Sequence, residues 1–187
     1  MNFTALLLAG GQSRRMSRDK AGVVIDAIPL WQRQLALLQQ LSPGELLISG
    51  KQDGPYVEAG VQVVLDDTPN LGPLGGIATA LRRAQFRLVL VLAIDLPSMR
   101  ASFLCELADA ALAADRGIVP HDGNWFEPLA AVYPRAALPL ADECLRSEDR
   151  SMQRFARLAA ERGLIRPRLL QEHERALFRN VNAPEDL

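Results

Sequence analysis

Residues 6–20 read LLLAGGQSRRMSRDK, in which an apolar run stops at two glycines and a basic loop follows. The apolar run 3–9 predicts a short buried strand. Gly10 and Gly11 allow a positive φ and a close approach of the backbone to a ligand. Further along, 88–94 is seven consecutive apolar residues, which is typical of a strand covered on both faces.

Strand-like and helix-like segments alternate outward from this first run, which predicts a mostly parallel sheet with helices on both faces. No linker, repeat or low-complexity segment interrupts the pattern, so we expect one α/β domain over residues 1–187. The predicted strands are Phe3–Ala9, Glu45–Ser49, Val61–Leu65, Leu88–Ile94, Gly117–Pro120, Leu129–Tyr133 and Phe178–Asn182. The predicted helices are Leu30–Leu41, Gly75–Ala84, Met99–Ala114, Ala136–Leu145 and Met152–Arg162.

Composition excludes several classes of protein. The net charge of −1 argues against a dedicated nucleic-acid binder, whose domain would be strongly basic. Cys105 and Cys144 form no CxxC pair, and His121 and His173 are too far apart for a zinc signature. No window reaches the 18 or so apolar residues of a membrane span, and no signal peptide is evident, so we expect a cytoplasmic protein.

The basic loop has the chemistry of a phosphate site. Arg14, Arg15, Arg18 and Lys20 outweigh Asp19, which leaves a local charge of +3. Arginine forks suit phosphate oxygens and a lysine adds a point charge, so together they suit a triphosphate. The Walker and dinucleotide glycine patterns are both absent. A solvated basic turn after a strand is the alternative.

Acidic residues follow two other predicted strands, at the edge where an open parallel sheet binds its ligands. Asp66 and Asp67 follow one strand, and Asp95, in the sequence IDLP, follows the seven-residue apolar strand. A carboxylate placed like Asp95 could hold Mg²⁺ together with substrate phosphates. Alternatively, Asp95 caps the helix expected to begin near Ser98.

Two further motifs complete the set. Gly72 and Gly76 belong to GPLGG, which opens a predicted helix whose free N–H groups could face an anion or a ring. A tight turn packed on the sheet is the alternative. Asn180 and Asn182 would share one face of a predicted strand, where two amides suit a polar heterocycle. A polar strand end is the simpler explanation of this pair.

Taken in order, LAGGxSxRMxxDK, GPLGGI, DLP and NVNAPEDL resemble the molybdenum cofactor guanylyltransferases. The stretch PLWQ at 29–32 is also similar to that family, and the resemblance runs from Leu8 to Leu187. It implies a Rossmann-like three-layer sandwich. It also implies Mg²⁺-dependent transfer of GMP from GTP to the molybdopterin cofactor, with release of pyrophosphate.

The resemblance also implies roles for individual positions. Catalysis would fall to Lys20, Arg15 and Asp95, with Asp95 as the metal ligand. Asn180 and Asn182 would lie on the pterin side. The nucleotide would be bound by Leu8, Ala9, Gly10, Gly11, Lys20, Asp66, Gly72, Gly76 and Asp95. Donor or acceptor proteins for the cofactor are conceivable partners, although no stretch of sequence marks an interface.

Some residues depart from the family pattern, and alternatives stay open. Ser17 stands where the family usually has glycine, which puts the loop conformation in question. One alternative is a molybdopterin cytidylyltransferase, which usually has AAG in the first loop and a pair of aspartates, rather than asparagines, near the C-terminal end. A sugar-1-phosphate nucleotidyltransferase has a longer first loop. A non-enzymatic nucleotide-binding or cofactor-chaperone protein could share the same fold.

Overall fold

The computed structural model describes residues 1–10, 23–25, 27–65 and 71–180. Within them a seven-stranded sheet has the order β5-β4-β1-β6-β8-β7-β9, and β2 and β3 pair separately. The strands are β1 Thr4–Leu8, β2 Val24–Ile25, β3 Ile28–Pro29, β4 Glu45–Ser49, β5 Gln62–Val64, β6 Leu88–Ala93, β7 Gly117–His121, β8 Ala130–Pro134 and β9 Ile165–Leu169. The helices are α1 Leu30–Gln40, α2 Pro73–Arg83, α3 Ala101–Ala114, α4 Leu138–Arg146 and α5 Met152–Glu161.

The first strand lies at the centre of the parallel part of the sheet. β1 pairs in parallel with β4, and also with β6 on its other side. Only β8 runs against the others, antiparallel to both β6 and β7, while β9 is parallel to β7. The carboxyl ends of six strands therefore meet at one edge, which is where ligands bind in sheets of this kind.

Alternate side chains of the strands point into two separate cores, which makes three layers. Leu7 packs on one face with residues of α1 and α3, and Leu6 packs on the other with residues of α2, α4 and α5. All six residues of β6 are buried, as expected for a strand covered on both faces. The predicted α/β sandwich is confirmed.

The end of the chain differs from the sequence-based prediction. No strand begins at Phe178, because residues Glu172–Phe178 form a 3₁₀ helix and the last described strand is β9. The exposed side chains of β9 hid it from a search for apolar runs, since its burial pattern shows only Ile165 fully buried. The prediction that Asn180 lies in a strand is therefore wrong.

Among the described residues, no helix is both long enough and apolar enough to cross a membrane.

Candidate active site

The carboxyl edge of the sheet brings several predicted residues together. β1 ends at Leu8, and the chain continues through Ala9 and Gly10 directly beside the end of β4. On the other side, Ile94 donates its N–H to the Leu8 carbonyl at 3.2 Å, so Asp95 follows immediately beside the end of β1. The predicted positions 8–10 and Asp95 thus lie on neighbouring strands.

The backbone of Ala9 and Gly10 is held by β4. Both N–H groups donate to the Ser49 carbonyl, at 2.8 and 2.9 Å. Gly10 does not have a positive φ, and a Cβ there would lie 3.6 Å from the Gly50 Cα. Both N–H groups are therefore engaged within the sheet. An anion cradle in this loop would have to begin after Gly10.

The glycines of GPLGG have two different physical roles. Gly72 precedes α2 as its N-cap with φ 68°, a conformation that strains other residues. Gly76 lies in the first turns of α2, where a Cβ would meet Ser49 Oγ at 2.5 Å and Leu8 Cδ2 at 3.0 Å. Its missing side chain therefore lets α2 pack closely against β1 and β4. Gly76 is thus packed on the sheet from within α2, which places the start of α2 at the carboxyl edge.

Asp95 does not cap α3. That helix begins at Ala101, later than predicted, and its N-cap residue is Arg100. Asp95 is instead half-buried in the turn after β6, with its Oδ1 atom shielded from solvent. Among the described residues, no group of three or more His, Cys, Asp or Glu side chains could hold a metal. A metal at Asp95 would need ligands from the substrate, from water or from other parts of the chain.

Gln34 holds the Asp95 turn in place and was missed by sequence reasoning. Its side chain is buried in α1 and donates to the Leu96 carbonyl at 2.5 Å. A glutamine on the apolar face of α1, between Trp31 and Leu35, was the available signal. A buried polar side chain needs a partner, and here the partner is the backbone of the IDLP turn.

Tyr56 is a second missed residue and supports the turn after β4. It is buried against Trp31, edge to face, with ring centroids 6.3 Å apart. Its hydroxyl accepts a hydrogen bond from the Lys51 N–H. Gly50 and Gly54 leave the space that its ring fills, because a Cβ at either glycine would overlap it. The turn that flanks Gly10 is thus anchored to the core.

The carboxyl edge of the sheet has two halves. The residues described so far lie at the ends of β4, β1 and β6, and the other half is formed by the ends of β7 and β9 and the start of β8. Asp122 Oδ1 accepts from the N–H groups of Asn124 and Trp125, each at 2.8 Å. These two N–H groups, Trp125 first, hold the pKa of the Asp122 carboxyl below its usual value. Glu127 behaves oppositely, because burial, and then the charge of Asp122, raises its pKa to about 7.

The C-terminal segment lies on this second half. Arg168, at the end of β9, makes a two-pronged ion pair with Glu174, with Nη2–Oε1 at 2.7 Å and Nη1–Oε2 at 2.9 Å. The Arg168 guanidinium chiefly lowers the pKa of Glu174, which also accepts from the Gln171 N–H. Phe178 stacks edge to face on Phe103 at 5.5 Å. The segment ahead of Asn180 is therefore fixed against the first turn of α3.

The geometry can be compared with known proteins. The family model described as "MobA-like NTP transferase domain" matches residues 5–166. The chain belongs to the MobA-like NTP transferase family. The resemblance read from the motifs is confirmed, and so is the prediction of a nucleotidyltransferase.

Curated relatives agree with this family. A probable molybdenum cofactor guanylyltransferase of Opitutus terrae is 38% identical, over 96% of this chain and 90% of the relative. One from Pelotomaculum thermopropionicum is 35% identical, over 100% of this chain and 91% of the relative. The molybdenum cofactor guanylyltransferase of Pseudomonas putida KT2440 is 29% identical, over 97% and 94% respectively.

Solved structures share the fold of this MobA-like chain. Molybdopterin-guanine dinucleotide biosynthesis protein A from Archaeoglobus fulgidus has a TM-score of 0.77 at 22% identity, covering 98% of this chain and 94% of that one. A 4-diphosphocytidyl-2C-methyl-D-erythritol synthase from Anaerococcus prevotii has a TM-score of 0.71 at 10% identity, covering 98% and 94%. The same architecture thus occurs with different nucleotides and acceptors, so residues must decide between them.

Several predicted site residues fall in 11–22, 66–70 and 181–187, outside the residues that the structure describes. They stay predictions, as do the roles of the described site positions. The predicted residues concerned are Gly11, Arg15, Ser17, Lys20, Asp66 and Asn182.

Proposed function

We propose that this nucleotidyltransferase transfers GMP from GTP to the terminal phosphate of the molybdopterin cofactor, with Mg²⁺, and releases pyrophosphate. The observation that carries the proposal is the position of Asp95 at the end of β6, one strand from Gly10 and from the start of α2. The names of the curated relatives support guanine and molybdopterin as substrates.

Positioning and charge neutralisation account for the reaction without a covalent intermediate. The acceptor phosphate attacks the α-phosphorus of GTP in line, and pyrophosphate leaves. Asp95 would hold Mg²⁺, which when bound neutralises charge on the phosphate oxygens. Lys20, helped by Arg15, would neutralise the charge that develops on pyrophosphate. Gln34 keeps the Asp95 turn in register by binding the Leu96 carbonyl.

Substrates divide between the two halves of the edge in this proposal. The nucleotide would lie against Leu8, Ala9, Gly10 and the start of α2, including Gly72 and Gly76, with Gly11 and Asp66 also contributing. Van der Waals contact and carbonyl oxygens would serve at positions 9 and 10, because their N–H groups are bound to Ser49. Asn180 and Asn182 would face the pterin of the acceptor.

The decisive assay offers GTP or CTP with molybdopterin and Mg²⁺ and identifies the product by mass. We expect the guanine dinucleotide product and one pyrophosphate per turnover. A cytosine dinucleotide as the main product would contradict the guanine assignment. Tight GTP binding with no pyrophosphate release would indicate a nucleotide-binding protein instead.

The metal assignment is tested by Asp95→Asn, with Asp109→Asn as the matched control on the exposed face of α3. Asp95→Asn should lower kcat by about 10²–10³-fold or more, because it removes the charged metal ligand. The unfolding midpoint should stay close to that of the control. Near-normal turnover by Asp95→Asn at low Mg²⁺ would refute the assignment.

A further inference from the structure

The hairpin that joins β7 to β8, residues 121–127, is held rigidly at the carboxyl edge. Asp122 closes its turn through two side-chain hydrogen bonds, and Gly123 has the positive φ of 112° that this turn needs. The Gln153 side chain, from α5, accepts from the Phe126 N–H at 3.0 Å and donates to the Phe126 carbonyl at 2.8 Å. Arg175 also donates to the Asp122 carbonyl. A loop fixed from three sides is suited to presenting side chains in defined positions.

The pairing between the two sides of this hairpin changes register, and the end of the hairpin lies next to the end of β6. Ile118 pairs with Val132, but His121 pairs with Phe126, so the two residues 119–120 lie opposite the five residues 127–131, three more than in a regular ladder. The extra segment turns toward β6, where the Leu129 carbonyl accepts from the Ala93 N–H at 2.9 Å. Such bulges commonly re-aim side chains next to active sites.

This segment places Glu127 beside the Asp95 turn. Leu92 pairs with Ala130, so three positions further along each strand the two chains reach Asp95 and Glu127. The Ala93 N–H also donates to the Leu129 carbonyl, so Asp95 and Glu127 each lie two positions beyond this last link between adjacent strands, in the same part of the carboxyl edge. A small substrate whose phosphate lies at Asp95 could therefore reach Glu127 with its other end.

The carboxyl group of Glu127 is in an unusual environment. It is half-buried beside Asp122, and among the residues that the structure describes none donates a hydrogen bond to it. Its N–H is bound to the Pro120 carbonyl at 2.7 Å, so the backbone is fixed. A half-buried carboxylate without a donor is costly, and a ligand that supplies two N–H groups would relieve that cost.

We propose that Glu127 is a specificity residue for the acceptor, whose carboxylate binds the 2-amino and N3–H groups of the pterin ring. This inference rests on the proposed function, because the acceptor there is a pterin. The 2-amino-4-oxo edge presents two parallel N–H donors, which match the two oxygens of a carboxylate. Trp125, 61% exposed at the hairpin tip, offers an aromatic face beside this position.

The 2-amino-6-oxo edge of guanine presents the same hydrogen-bonding groups as the 2-amino-4-oxo edge of a pterin, so position must distinguish the two. The nucleotide half of the edge, with Gly10 and the start of α2, lies on β1 and β4, whereas the hairpin lies beyond β6 on β7 and β8. The segment leading to Asn180 packs on this second half, since Leu170 donates to the His121 carbonyl at 2.9 Å. Glu127 therefore lies in the half of the edge that the proposed function gives to the acceptor.

Two pairs of ligands test the assignment by calorimetry at a pH above 7. Pterin is compared with lumazine, which has a 2-oxo group in place of the amino group, and GTP is compared with XTP, which differs in the same way. Wild type should bind pterin about tenfold or more tighter than lumazine. Glu127→Gln should invert this preference, because an amide donates to the 2-oxo group and accepts from N3–H. The GTP to XTP ratio should stay within twofold, and Glu161→Gln, exposed at the end of α5, should change neither ratio.

Each other outcome is decisive. An unchanged pterin to lumazine ratio in Glu127→Gln, or wild-type binding of neither pteridine, overturns the proposal. A change in the GTP to XTP ratio alone would assign Glu127 to guanine and overturn the acceptor role. If wild type forms no guanine dinucleotide but its pteridine preference depends on Glu127, the proposed reaction fails while the recognition of the pterin edge stands.

Discussion

Gly76→Ala tests how closely α2 must approach the sheet at the nucleotide half of the edge. The new Cβ would lie 2.5 Å from Ser49 Oγ and 3.0 Å from Leu8 Cδ2, both closer than ordinary van der Waals contact. Overpacking of a close-packed core typically costs about 1–3 kcal/mol. Alanine in a helix recovers about 1 kcal/mol relative to glycine. We therefore expect the free energy of unfolding to fall by about 0–2 kcal/mol.

Ser49→Ala provides the matched test, because it removes the Oγ that the new Cβ would meet. In the double variant the nearest Ser49 atom is the Cβ, at 3.3 Å, so most of the clash with β4 disappears. Urea unfolding of the four proteins gives a double-mutant cycle, and we expect a coupling energy of about 1 kcal/mol or more. A Gly76→Ala variant clearly more stable than wild type, or a coupling energy within about 0.3 kcal/mol of zero, would refute the close-packing argument.

Three further variants test the buried polar side chains around the site. Burial raises the pKa of Glu127 to about 7, so the stability of wild type should fall as the pH rises from about 4.5 to 7, where the folded protein holds a proton that the unfolded chain has lost. Glu127→Gln should remove this fall, and chemical denaturation at pH 5 and 8 should show a difference between the two proteins of roughly 1–2 kcal/mol after allowing for partial exposure. Parallel pH profiles for the two proteins would contradict this. Glu174→Gln should lower the free energy of unfolding by about 3 kcal/mol at pH 7, because Arg168 loses its buried partner. Because Arg168 lowers the pKa of Glu174, this difference in stability should shrink as the pH falls below about 4.5. An equal loss of stability at pH 3 would argue against the ion pair. Gln34→Leu removes the donor to the Leu96 carbonyl and should lower kcat while leaving the affinity for GTP nearly unchanged. In steady-state kinetics, weaker GTP binding with an unchanged kcat would exclude a role of Gln34 in placing Asp95.

Local patterns in the sequence were sufficient to predict a strand where all of its residues are buried. The apolar run of β6 predicted a strand covered on both faces, and all of its residues are buried. β9 was missed, because its exposed side chains resemble a polar loop. Ala9 and Gly10 illustrate a different limit, since a glycine turn suggests open N–H groups and only the neighbouring strand shows that the Ser49 carbonyl already accepts them.

The chain's order of strands, loops and helices determined the class of fold and the family, because hydrophobic periodicity and ordered motifs are properties of the sequence itself. Tertiary structure alone decided which groups share the edge. Gln34 lies 62 positions from the carbonyl that it holds, and Glu127 reaches the neighbourhood of Asp95 only through an antiparallel register with a bulge. LLLAGG was readable at once as a strand and turn, but its partners come from strands distant in sequence. Long-range pairing depends on packing of the whole sheet, and no local pattern records it.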